Sequence, residues 1–157
     1  MMSREPDDQK ARGEYLSNVT RLDDPIFEVP GVVVVAWHSL SAAVHIEWQS
    51  WANTKEFMAA LDAGHRALLE RRSSRWLADC RGMKAIQQAD QDWLDQVWFP
   101  RMLAAGLKRM AVVMPRSVLA SVNVRQILDR VPDTSLSTAY FATVEEAVPW
   151  LTRPPSA

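Results

Sequence analysis

The chain has 157 residues, 48% of them apolar, and its 18 Lys and Arg against 19 Asp and Glu leave a net charge of −1. Near-neutral charge argues against a dedicated nucleic-acid binder, which needs a Lys/Arg excess on one face, and a domain of about 150 residues buries enough surface to fold without metal or disulfide. The single cysteine, Cys80, fits a reducing compartment, Ser3 to Glu14 lacks the apolar core of a leader, and the apolar run Val32 to Trp37 is about threefold too short to cross a bilayer, so a cytoplasmic protein is expected. One oddity stands out: seven Trp outnumber four Phe and two Tyr together.

Residues 1–25 hold six acids, four bases, two Pro and few apolar side chains, which predicts a flexible tail; one domain is expected over 26–151, followed by a short tail at 152–157. Val32 to Trp37 is β-branched on both parities, the mark of a strand covered on both faces. Val44, Ile46 and Trp48 alternate with His45, Glu47 and Gln49, which predicts a strand with one face buried and one polar, joined to the first as a hairpin through His38 to Ser41. Asn53 and Glu56 form a capping-box pattern, and Phe57, Leu61, Gly64 and Leu68 mark one stripe of a helix ending at Arg71 and Arg72.

Trp76 to Asp79 is a third strand, and a loop from Cys80 to Gln88 leads to a helix with Asp90 and Asp92 in its first turn. Pro100, inside that helical pattern, must bend or restart it. Leu107 to Met114 is a fourth strand. Asn123 with Gln126 offers a cap for a helix through Val124, Ile127, Leu128 and Val131. Leu136 to Phe141 is a fifth strand, and Thr143 with Glu146 caps a last helix that Pro149 limits or bends. The order ββαβαβαβα gives a single α/β domain: a mixed, mostly parallel five-stranded sheet with helices packed on it, strands two to five being parallel through right-handed crossovers. Ligands of such sheets bind beyond the carboxyl ends of the strands, here the segments after Asp79, Met114 and Phe141.

Trp76-Leu77-Ala78-Asp79-Cys80-Arg81, Asp90-Gln91-Asp92-Trp93, Trp98-Phe99-Pro100-Arg101, Ala105-Gly106-Leu107-Lys108 and Val112-Val113-Met114-Pro115 together resemble the SpoIIAA-like family of bacterial STAS/Sec14-type domains, over roughly Phe27 to Leu151. The resemblance implies a small cytoplasmic module, regulatory or ligand-binding, related to anti-sigma-factor antagonists and to lipid-carrying Sec14 domains, and a module without catalytic activity is expected. The antagonists carry a phosphorylatable serine in an Asp-Ser-Ser/Thr-Gly loop; here that loop reads Asp79-Cys80-Arg81-Gly82, both hydroxyls are gone, and the phosphoswitch does not carry over.

Six residues are candidates for ligand binding at the carboxyl edge: Asp79, Arg81, Trp93, Trp98, Arg101 and Arg116, the arginines taking an anionic group and the tryptophans an apolar body. Asp79 and Arg81 read equally as a structural ion pair closing the loop. Cys80 beside Arg81 raises a competing thiol-enzyme reading, although Asp79 opposes thiolate formation and no His stands near in sequence. His38, His45 and Glu47 hint weakly at a metal, but a polar outer face of an edge hairpin explains them better, and no metal or cofactor is expected. Arg71, Arg72, Arg75, Lys108 and Arg109 gather at the opposite, amino edge, as a cationic patch for an acidic partner or membrane surface or as solvated element ends. The expected partner is a small molecule or a protein, self-association included, and not a nucleic acid; partner switching without phosphoserine is the alternative.

Overall fold

The computed structural model describes residues 6–20, 22, 25–132 and 134–154. In chain order the elements are α1 (Pro6–Thr20), β1 (Phe27–Val29), β2 (Val33–His38), β3 (Ala43–Trp48), α2 (Thr54–Arg71), β4 (Arg75–Asp79), α3 (Gln88–Trp93), a π-helical turn (Leu94–Trp98), α4 (Phe99–Ala104), β5 (Arg109–Val113), α5 (Val118–Asp129), β6 (Ser137–Phe141) and α6 (Val144–Thr152). The six strands form one sheet in the order β1-β2-β3-β4-β5-β6. β1 and β2 pair antiparallel, as do β2 and β3, and every later pair is parallel. The hairpin and the parallel run of four match the sequence reading. The sheet has six strands rather than five, because Phe27–Val29 adds a short edge strand whose three residues carry too little pattern to be read alone.

Period-two alternation sorts the strand side chains onto two faces. On the major face Val33, Val35, Val44, Ile46, Trp48, Trp76, Ala78, Met110 and Val112 meet α2, the π-helical turn, α4 and α5 in the main core. On the minor face Ala43, Leu77, Ala111 and Val113 meet Val19 of α1 and Val144, Ala147, Val148 and Leu151 of α6. The α2 helix begins with the expected capping box: Asn53 Oδ1 accepts from the Glu56 N–H at 2.9 Å, and Glu56 Oε1 accepts from the Asn53 N–H at 3.1 Å. Thr143 likewise caps α6, accepting from the Glu146 N–H at 3.2 Å, and the helix runs on through Pro149 to Thr152.

Three expectations are corrected. The supposed flexible segment carries α1, and Val19 near its end is fully buried against α6, so the minor face of β2 and β3 is roofed. His38 and His45 are therefore buried, each 2% exposed, instead of standing on a solvated hairpin face. The helix after β5 starts at Ser117, whose hydroxyl accepts from the Ala120 N–H at 3.3 Å, and not at Asn123, which lies inside α5 and is buried. Its first turns escape a periodicity reading because Val118, Leu119 and Val122 are apolar residues facing outward. The end of the expected C-terminal tail, residues 155–157, lies outside the described residues.

Pro100 does force an adjustment. Its ring is accommodated at the second position of α4, and the turn before it widens so that the Phe99 N–H reaches the Leu94 carbonyl five residues back. Trp98, the last residue of that turn, points into the core.

Candidate functional site

The carboxyl edge is built on the loop after β4. Asp79 is the last residue of β4, and its side chain leaves on the minor face, opposite Trp76 and Ala78. Arg81 folds back onto it: Nε donates to Oδ1 at 3.0 Å, Nη2 donates to Oδ2 at 2.8 Å, and the Arg81 backbone N–H also donates to Oδ1 at 3.2 Å. This bidentate pair holds a buried carboxylate beneath a partly exposed guanidinium, and the hydrogen bonds it donates to Asp79 keep Arg81 firmly charged.

The loop that follows is fixed at several points. Gly82 lies so close to β3 that a Cβ there would stand 2.7 Å from the carbonyl oxygens of Trp48 and Gln49, so no larger residue fits without moving backbone. Further on, the Ile86 N–H donates to Asn123 Oδ1 at 3.0 Å and the Ile86 carbonyl accepts from Gln91 Nε2 at 2.8 Å. The Arg116 backbone N–H donates to the Arg81 carbonyl at 3.2 Å, which joins this loop to the one after β5.

Between these loops and the end of β3 lies a polar cleft of about 270 Å³ lined by Glu47, Trp48, Gln49, Asp79, Arg81, Gly82 and Arg116. Arg81 is engaged by Asp79, with Glu47 and Glu145 adding to the negative potential around it. Arg116 is exposed and has no ion pair among the described residues. Cys80 points the other way, fully buried in the main core, and burial, with Asp79 adding to it, pushes its thiol far above the usual range. A thiol held protonated is a poor nucleophile.

The six candidates thus divide. Asp79, Arg81 and Arg116 meet at the cleft. Trp98 lies in the core on the major face, edge-on to Trp76 at 5.0 Å between centroids, its Nε1–H donating to the Leu61 carbonyl at 3.1 Å. Trp93 packs edge-on to Phe57 at 6.4 Å, and Arg101, on the outer side of α4, stands 3.7 Å from Asp62 of α2. Trp48 borders the cleft at the end of β3, but its ring is buried in the main core, stacked on Phe57 at 5.1 Å, as the reading of the sequence had it.

On the minor face, His38 Nε2–H donates to the Val19 carbonyl at 2.7 Å, while Nδ1 accepts from the Ser41 N–H at 3.2 Å and faces its hydroxyl at 2.6 Å. His38 is thereby saturated as a neutral ring. His45 stands edge-on to it at 5.5 Å with neither ring nitrogen partnered among the described residues, and burial, reinforced by His38 and opposed by Asp79, lowers its pKa to about 4. Among the described residues no three His, Cys, Asp or Glu side chains are grouped to hold a metal ion. At the amino edge, Arg71 stacks on Trp37 at 5.0 Å, Arg75 donates to the Ser41 carbonyl at 2.9 Å, and Arg109 donates to the carbonyls of Arg153 and Pro154, so three of the five basic residues there tie elements together.

The fold and strand order are consistent with a STAS-type domain. The chain belongs to the SpoIIAA-like family, whose model matches residues 43–152, from β3 to the end of α6. The comparisons with curated proteins and with solved structures return no match. No helix among the described residues is long and apolar enough to cross a membrane.

Proposed function

We propose that the protein is a non-catalytic STAS-type regulatory module that takes a small, partly apolar anion into the cleft at the carboxyl edge. Arg116 receives the anionic group, and the Asp79–Arg81 pair forms a rigid floor. The observation that carries this reading is the exposed guanidinium of Arg116, without an ion pair among the described residues, beside a pair that is already neutralised. The thiol-enzyme alternative loses its support with Cys80, which is buried and held protonated. A thermal-shift screen with fatty acids, acyl phosphates and flat aromatic carboxylates tests the proposal. At least one should raise Tm saturably in the natural protein and not in Arg116→Ala, with Arg101→Ala behaving as the natural protein; no shift from any of them overturns it.

A second reading, docking of a protein, draws on the row Val118, Leu119 and Val122 on α5, which are 80%, 58% and 44% exposed and start two residues beyond Arg116. If that row serves self-association, sedimentation velocity at two concentrations shows a dimer that Leu119→Glu dissociates. A single monomeric species at both concentrations removes that form of the reading.

A further inference from the structure

The major face of the sheet holds a second space, separate from the polar cleft and on the other side of β3 and β4. A cavity of about 70 Å³ lies between the sheet and α2, the π-helical turn, α4 and α5, with Trp48, Phe57, Trp76, Trp98, Met83 and Val112 among its walls. Its remaining lining is also apolar, apart from the Cys80 thiol. Adjoining it is a niche of about 10 Å³ that shares Trp48, Phe57, Met83 and Ile86 with the cavity and adds Lys84 and Asp90.

Asp90 is the unexplained residue. It is 2% exposed, yet its Oδ1 has no hydrogen-bond partner among the described residues. A buried carboxylate oxygen without a donor is costly, and in folded proteins such a group is usually met by a water, an ion or a ligand. Lys84 lines the same niche but is exposed and makes no ion pair among the described residues.

We propose that cavity and niche form one binding site for a short-chain aliphatic primary amine, the alkyl chain lying among the tryptophans and the ammonium donating to Asp90 Oδ1. The charge of the head group follows from Asp90: an ammonium brings three donors and the opposite charge, an alcohol brings one neutral donor, and a carboxylate is repelled. The size of the tail follows from the volume. An apolar cavity of roughly 150 Å³ holds a benzene ring, and about half of that volume is present here, so a short chain fits where a ring does not. Met83 and Ile86 line both spaces and join them.

The full chain titrated with butylamine at neutral pH, followed through the indole N–H resonances of Trp48 and Trp98, tests the proposal, with butanol and butyrate as comparison probes. Saturable shifts are expected with butylamine, with binding about tenfold weaker for butanol and none for butyrate. Asp90→Asn, nearly the same shape, should bring butylamine down to the butanol level. The comparison of butylamine with butanol needs no variant, so it stands even if Asp90→Asn folds poorly. Absence of saturable shifts with butylamine, equal binding of butylamine and butanol, or undiminished butylamine binding in a folded Asp90→Asn overturns the proposal. Arg116→Ala should leave butylamine binding unchanged, which separates this site from the cleft.

Discussion

At the scale of single residues, the Asp79–Arg81 pair governs the edge. The carboxylate is buried and all its described donors come from Arg81, so Arg81→Ala leaves a buried charge without its partner. The expected cost is about 2–4 kcal/mol, read from urea unfolding, whereas Arg116→Ala, at an exposed site, should change stability by less than about 0.5 kcal/mol. Both readings of this pair were legible in the sequence, since two residues at a strand end can fold back on each other or reach outward; only the coordinates decide. The grouping of Trp93 and Trp98 with Asp79 was not legible, for a definite reason. Strand alternation already placed Asp79 opposite Trp76, but nothing in the sequence says which face the helical run from 88 to 104 covers. It covers the face of Trp76, and the aromatic rings go with it.

At the scale of elements, α2 and β4 meet at a contact only glycine allows. A Cβ at position 64 would stand 2.2 Å from Cη2 of Trp76, a ring itself wedged against Trp98. Gly64→Ala gains helix propensity of up to about 1 kcal/mol, but the overlap with a buried indole outweighs it, and a net loss of about 1–3 kcal/mol is expected in urea unfolding. A stability equal to or above that of the natural protein would show that Trp76 moves aside freely. Elements whose local signals agree were readable: α2 and α6 have cap and stripe together, and β2 has a β-branched run. Elements whose signals conflict were not. The outward Val118 and Leu119 hid the start of α5, and α1, whose sequence carries many charges and few apolar residues, shows no stripe by which to recognise it.

At the scale of the whole molecule, α1 turns one face of an ordinary hairpin into interior and carries two histidines inside. His45 has a folded pKa of about 4 against 6.5 when exposed, so below pH 6.5 the unfolded chain binds a proton that the folded chain refuses. Stability is complete above that value and falls as pH drops toward 4, by about 2 kcal/mol at pH 5 and about 3 kcal/mol in full. His38, also lowered by burial, acts in the same direction. Urea unfolding at pH 7 and pH 5 checks this: the loss between the two should be smaller by about 2 kcal/mol in His45→Leu than in the natural protein. An equal loss in both means that His45 accepts its proton without cost.

The strand order carries a consequence for how the molecule is assembled. Because every strand lies beside its neighbour in the chain, the sheet can grow from one edge, each new strand finding a partner already in place, and no crossover must be threaded past a finished strand. The contact between α1 and α6 is different in kind, since it joins the two ends of the described chain and closes the longest loop in the fold. The minor core, which draws residues from both ends of the described chain, is complete only when that contact is made.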